Sequence, residues 1–293
     1  MPDNDRLYRF IIEHTNVRGE MVHLNATWQA VLQRGNYPEN VRSVLGEAMA
    51  ACALLAATIK FEGSLILQIR GDGPLHLLVV QTTAEGTMRA IARWNTDVPD
   101  HGLSNIFGNG QMVMTIESTE ADPYQGIIAL QGEHLKDAIE AYFQQSEQLD
   151  TRLWLASDEN TCAGFLLQQM PKEISHDDDE DVDAWTRTVH LASTITKNEL
   201  LDIDVTDMLH RLFHEEDVRL FEPEPVSFRC NCSHERIETM LVSMGESEVR
   251  QLLDEQGKIE VDCEFCNAHY EYDAIDIETL FNDASSPAPQ TRH

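Results

Sequence analysis

Two cysteine pairs decide how the end of this chain folds: FRCNCS at residues 228–233 and VDCEFC at residues 261–266. Each pair offers two sulfurs from one tight turn, and four thiolates at about 2.3 Å satisfy the tetrahedral coordination of zinc. The surrounding region has about 60 residues and little apolar content, so it needs a cross-link or a metal to fold. The sequence therefore predicts one Zn²⁺ per chain, and two simple disulfides or free thiols are less favoured. The predicted ligands are Cys230, Cys232, Cys263 and Cys266.

The spacing alone does not separate a structural zinc site from a redox switch, and two features favour the switch. Each pair can close its own disulfide, and loss of the metal would remove most of what folds a small acidic segment. A disulfide between Cys230 and Cys232 would span a single residue and be strained, which is typical of reversible rather than structural disulfides.

Two histidines close to the cysteines are alternative ligands. His234 stands two residues after Cys232, and His269 stands three residues after Cys266. Because four paired cysteines already fill the positions of zinc, we interpret both histidines as surface or neighbouring residues.

Composition excludes several classes of protein. The chain has 293 residues, 42% of them hydrophobic, which is enough for a buried core in two domains without disulfides. The formal net charge of −30 makes nucleic acid an unfavourable partner. No uncharged apolar run is long enough to span a membrane, and no secretion signal precedes Arg6. With only six cysteines, four of them in the last 64 residues, we expect a soluble cytoplasmic protein with metal or redox chemistry.

Residues 1–172 are predicted to form an α+β domain with antiparallel strands. Helical periodicity and many alanines mark residues 38–60, and the turn sequence GDGP at 71–74 separates apolar runs at 65–69 and 75–80, which predicts a β-hairpin. Cys52 and Cys162 are interpreted as buried apolar side chains. The other predicted elements are strands at 88–94, 111–117, 126–130, 152–156 and 164–168, and a helix at 133–145.

Residues 173–227 are predicted to form an acidic, partly helical linker. The run at 173–183 contains seven acidic residues and no basic one. Thr196 and Glu199 form a capping-box pattern. An apolar stripe at helical spacing follows and needs a surface to pack on, so we expect the linker to dock on the N-terminal domain. The stripe consists of Met208, Leu209, Leu212 and Phe213.

Residues 228–293 are predicted to form a small zinc-binding domain, with Pro223 and Pro225 marking the boundary before it. Helical periodicity at 235–244 and 247–256 is followed by strand patterns at 258–262 and 269–272.

At this point the sequence resembles a known family, the redox-regulated 33 kDa heat-shock chaperones, also called 33 kDa chaperonins. The resemblance covers nearly the whole chain. It rests on both cysteine stretches and on KFEG at 60–63, QIRGDGPL at 68–75, PYQG at 123–126 and YFQQSEQ at 142–148.

The resemblance implies a holdase that uses no ATP and is idle while reduced and zinc-bound. Oxidants such as hypochlorite or peroxide would activate it by joining Cys230 to Cys232 and Cys263 to Cys266, releasing zinc and unfolding the zinc domain and linker. Its partners would be unfolding client proteins, and its active form a homodimer. The chain contains no G-x-x-x-x-G-K-[ST] motif for ATP. His234 stands where we expect an arginine, which leaves the ligand set unchanged.

Two other functions fit part of the pattern. Zinc ribbons often bind nucleic acid, but residues 228–283 carry four basic side chains against fourteen acidic ones. A thiol-disulfide oxidoreductase would use the Cys263/Cys266 pair, which normally requires a βαβ scaffold around it. No catalytic triad or calcium loop can be assembled from the sequence, so we expect a protein that is not an enzyme.

Overall fold

The structure is a computed structural model that describes residues 5–118, 122–171 and 183–285, with side chains described to residue 282. The acidic run predicted to begin the linker lies almost entirely outside the described residues. Contacts divide the chain into two compact units, Met1–Arg229 and Cys230–His293. Most of the predicted linker belongs to the first unit, and the three-part division at 172 and 227 stays a prediction.

Two six-stranded sheets form the first unit. Their strands are β1 (Arg6–Ile12), β2 (Val17–Leu24), β3 (Ser64–Arg70), β4 (Leu75–Thr83), β5 (Thr87–Trp94), β6 (Gln111–Glu117), β7 (Tyr124–Ala129), β8 (Thr151–Ser157), β9 (Cys162–Gln169), β10 (Val218–Leu220), β11 (Glu224–Pro225) and β12 (Ser227–Phe228). The first sheet has the order β10-β1-β2-β9-β8, with β11 also paired to β1, and the second has the order β12-β5-β4-β3-β6-β7. Every pairing is antiparallel except that of β12 with β5.

Seven α-helices accompany these sheets in the described part of the unit: α1 (Ala26–Leu32), α2 (Glu39–Thr58), α3 (Leu103–Phe107), α4 (Leu135–Tyr142), α5 (Ala184–Ala192), α6 (Lys197–Asp202) and α7 (Val205–Phe213). The alanine-rich α2 packs against strands of both sheets, and its small side chains allow this close approach. Within the described ranges α2 alone is long and apolar enough to cross a membrane by length and composition, and its burial in this core accounts for that composition.

The α+β fold is confirmed, as are the long helix and the hairpin. The turn between β3 and β4 needs glycine because a Cβ on Gly71 would lie 1.9 Å from the carbonyl oxygen of Phe107. The predicted helix at 133–145 is instead α4 followed by a π-helical turn, Phe143–Glu147. Sequence analysis predicts no element over residues 6–32, where the structure has β1, β2 and α1.

The described part of the second unit contains three helices and a two-stranded sheet: α8 (His234–Met244), α9 (Glu246–Gln256), β13 (Ile259–Asp262), β14 (His269–Tyr272) and α10 (Ala274–Ser285). The two predicted helices and the two predicted strands are confirmed, whereas α10 was not predicted. The buried apolar core is small and consists of Leu241, Val249, Ile259, Tyr270, Tyr272 and Ile277.

Candidate metal centre and the linker-covered sheet face

Local turns place the four cysteines of the second unit. Cys230 and Cys232 lie in the loop before α8, whose first turn is capped by the Ser233 side chain accepting from the Arg236 N–H. Cys263 and Cys266 lie in the turn between β13 and β14, where the N–H groups of Cys266 and Asn267 donate to the Cys263 carbonyl oxygen at 3.3 and 2.7 Å. Each pair therefore presents two sulfurs from one rigid turn.

The four sulfur atoms converge on one point. Cys230 Sγ lies 3.6 Å from Cys263 Sγ, and Cys232 Sγ lies 3.3 Å from Cys266 Sγ. All four lie within 4.8 Å of one another. Tetrahedral zinc with bonds of about 2.3 Å requires sulfur separations of about 3.8 Å, so this donor set fits a four-thiolate zinc site. The cluster is compatible with the predicted metal, and its occupation by zinc stays a prediction.

The electrostatics of the cluster call for a cation. Burial raises the pKa of Cys263, and burial together with neighbouring sulfurs raises the pKa of Cys266 to about 12, although backbone N–H groups of residues 265, 266 and 268 oppose this. A hydrogen bond to the Cys232 sulfur also raises the pKa of Tyr270. Four thiolates this close are stable only beside a positive charge, which a divalent metal supplies.

Neither histidine belongs to the sulfur cluster. The His234 ring packs edge-on against Tyr270, with ring centroids 4.9 Å apart. His269 is exposed, and its Nδ1 lies 2.8 Å from Asp262 Oδ1, a hydrogen bond that raises the pKa of His269. A second cluster of possible ligands, Glu260, His269 and Glu271, already has the ammonium group of Lys258 between its carboxylates.

The surroundings of the Cys263/Cys266 pair differ from those of a thiol oxidoreductase. The pair lies in a turn of a two-stranded antiparallel sheet rather than at the start of a helix in a βαβ unit. Cys52 and Cys162 are buried as predicted, and burial raises the pKa of both thiols. Raised pKa values make these two poor nucleophiles.

A second feature of interest is the face of the first sheet that α5, α6 and α7 cover. Nine buried apolar residues of the sheet meet nine of these helices. The Phe213 ring of α7 lies between two sheet residues, with its centroid 6.2 Å from that of Phe10 and 6.5 Å from that of Phe165. The predicted stripe is confirmed, since all four of its residues are buried here: Met208, Leu209, Leu212 and Phe213.

Polar contacts add few strong links across this interface. The imidazole Nε2 of His23, a buried residue of β2, donates to the Leu200 carbonyl oxygen at 2.6 Å. Burial lowers the pKa of His23, so the ring is neutral beneath α6. Ion pairs of the linker, such as Arg211 with Glu199 at 2.7 Å, are partly exposed and contribute little individually. Apolar burial therefore dominates the docking of these helices.

Sequence reasoning missed His23 and the sheet residues that receive the linker. The stretch RLYRFII of β1 carries the only local signal, and Tyr8, Phe10 and Ile12 alternate in it. A single histidine carries no comparable pattern.

Comparison with known proteins gives this architecture a relationship. A sequence model of the Hsp33 protein family matches residues 5–273. This chain belongs to the Hsp33 family. It is 50% identical over 294 residues to a 33 kDa chaperonin of Nitrosococcus oceani and 44% identical over 296 residues to one of Methylobacillus flagellatus, and each match covers all of both chains.

The fold agrees with this assignment to Hsp33. A crystal structure of the Thermotoga maritima 33 kDa chaperonin matches with a TM-score of 0.81 at 20% identity, covering 96% of this chain and 99% of that one. The resemblance inferred from the sequence is confirmed, and membership in the Hsp33 family supports a chaperone function.

Proposed function

We propose that this protein is a redox-regulated holdase that protects unfolding proteins from aggregation without ATP. In its idle state the thiols are reduced, and Cys230, Cys232, Cys263 and Cys266 hold one zinc ion. One observation carries the proposal: the four sulfurs lie within 4.8 Å of one another, in a unit whose described residues bury only six apolar side chains. Such a unit depends on its thiols for stability.

Zinc would join the loop before α8 to the turn after β13 and would stabilise the unit by about 10 kcal/mol or more, which is as much as the whole stability of many domains. The cysteines keep that link only as thiolates. Any reaction that consumes the thiolates therefore destabilises the whole unit rather than one loop.

Oxidation is the reaction we propose. Each disulfide forms as a thiol pair gives two electrons and two protons to an oxidant such as peroxide, which is reduced to water. By analogy with the family, the pairs are Cys230 with Cys232 and Cys263 with Cys266. These bonds would leave the two halves of the unit unconnected, whereas the shortest sulfur separations in the reduced form run between the pairs. Mapping the disulfides by mass spectrometry distinguishes the two patterns.

The chain itself transmits the change to the linker. Cys230 follows two residues after β12, which holds to β5 by only two residue pairs, and β10 and β11 hold to β1 by three and two. These short edge pairings are weak on their own. Once the second unit unfolds, we expect them to fray and α5–α7 to leave the first sheet.

Undocking would create the surface that captures clients. It exposes the apolar residues on both sides of the interface, and large exposed apolar surfaces bind unfolded chains. The net charge of −30 keeps the opened protein soluble. We further propose that the active form is a homodimer in the cytoplasm and that the protein has no catalytic activity.

The experiment follows a chemically unfolded client diluted into buffer by light scattering. Reduced protein should leave aggregation unchanged, protein treated with peroxide at raised temperature should suppress it, and re-reduced protein with zinc restored should be idle again. Equal suppression by the reduced and oxidised samples contradicts the switch, and no suppression by either contradicts the holdase.

A further inference from the structure

We propose that strand β7 and the outer face of the second sheet form a docking site for an extended segment of an unfolding client, which adds to the sheet as a further strand. The outer face means the side turned away from α2. This inference rests on the proposed holdase function and assigns it a binding surface distinct from the face under the linker.

Strand β7 is an open sheet edge. Among the described strands it pairs only with β6, through six residue pairs from Gln111 with Ala129 to Ile116 with Tyr124. Alternate N–H and C=O groups of such a strand point away from the sheet and can pair with another chain. Proteins usually block an edge with lysine, proline or an inward charge. The sequence YQGIIA of β7 contains none of these.

The face beside this edge offers apolar contacts in register. One row of cross-strand partners runs Ile127, Val113, Gln68, Val79 and Ile91. Ile127 begins the row and is 66% exposed. Helices α1 to α4 pack on this sheet and bury their apolar side chains in the core on its other side. A strand added at β7 would extend the row by one side chain every second residue.

The charge of this face differs from that of the whole chain. Alternation along the described strands places Arg70, Arg89 and Arg93 on the outer face with a single acid, Glu117, against a chain total of −30. A chain of hydrogen bonds runs from Arg89 through Gln81 and Ser64 to Glu117 at 2.8, 2.8 and 2.9 Å. The face therefore suits an extended segment with alternating apolar side chains and acidic neighbours.

This face is present in both redox states, so it supplies a first contact that is too weak to hold a client alone. Holding would also need the surface that the linker covers. Exposed apolar contact at an edge contributes modestly, so the site should change affinity rather than abolish it.

The test compares Ile127→Asp with Ile275→Asp in the full-length oxidised protein. Both isoleucines are exposed, at 66% and 73%, and Ile275 lies on α10 far from any sheet edge in sequence. The probe is dye-labelled, carboxymethylated α-lactalbumin, an unfolded acidic protein, followed by fluorescence anisotropy. Ile127→Asp should raise the apparent Kd at least about fivefold, and Ile275→Asp less than about twofold. Arg70→Glu should also weaken binding and reduce its dependence on salt.

Equal affinity of the two isoleucine variants overturns the inference. So does loss of the oxidised dimer by Ile127→Asp in light scattering, because the edge would then belong to a second copy of this chain. Zinc content and melting temperature of the reduced variants show that they fold. The wild-type protein separates the two levels: if it fails to bind the probe when oxidised, the holdase proposal itself fails.

Discussion

Replacing Phe213 by alanine tests whether linker docking keeps the protein idle. The side chain is 1% exposed and lies between Phe10 and Phe165. Truncating a buried phenylalanine costs about 3 to 5 kcal/mol, and each 1.4 kcal/mol is about tenfold in an equilibrium constant. The undocked fraction should therefore rise by roughly a hundredfold to several thousandfold, while the zinc site stays unchanged.

The matched control is Phe221→Ala, because Phe221 belongs to the same linker but is 43% exposed and should cost less than about 1 kcal/mol. Three assays on reduced protein are needed: zinc content, hydrogen exchange of residues 205–213, and suppression of client aggregation. Phe213→Ala should bind one zinc, exchange faster and hold clients without oxidant. If it exchanges faster yet holds no client, docking of the linker is not what represses the protein.

The remaining predictions concern the metal, the pH and the linker cap. Replacing Cys263 and Cys266 together by serine should abolish zinc binding, since two ligands do not hold the ion; unchanged stoichiometry by metal analysis would exclude this site. Because docking lowers the pKa of His23, its contribution is full above about pH 6.5 and is lost as the pH falls, so acid should increase dye binding to exposed apolar surface. His23→Gln should remove that part of the response, whereas Glu47, whose buried carboxyl has a pKa raised to about 7, acts in the opposite direction in both proteins. Thr196→Ala should cost about 1 kcal/mol of docking by removing the side-chain acceptor for the Glu199 N–H, and Thr194→Ala serves as its control in the same exchange measurement.

Local patterns explain which elements the sequence predicted. The helix α2 and the β3–β4 hairpin have strong periodicity and turn residues, so neighbours in sequence determine them. The same holds for the cysteine turns, because two ligands within four residues already restrict the site. The convergence of the two pairs could be predicted only because zinc chemistry demands four ligands.

Long-range packing explains what the sequence left out. Strand β9 is apolar on both faces, since Leu166 faces α2 while Phe165 faces the linker helices, and such a strand lacks simple alternation. The pairing of β2 with β9 joins segments about 140 residues apart, and no local signal specifies it. The buried bond from His23 to Leu200 depends on the same long-range docking.

The central claim is that the state of the four thiols determines whether the linker stays docked. The most direct measurement is hydrogen exchange of residues 205–213 in one preparation, taken reduced with zinc, oxidised, and re-reduced with zinc, with zinc content measured in each sample. We predict one zinc and strong protection, then no zinc and loss of protection, then recovery of both. Equal protection of these residues with and without zinc would contradict the claim.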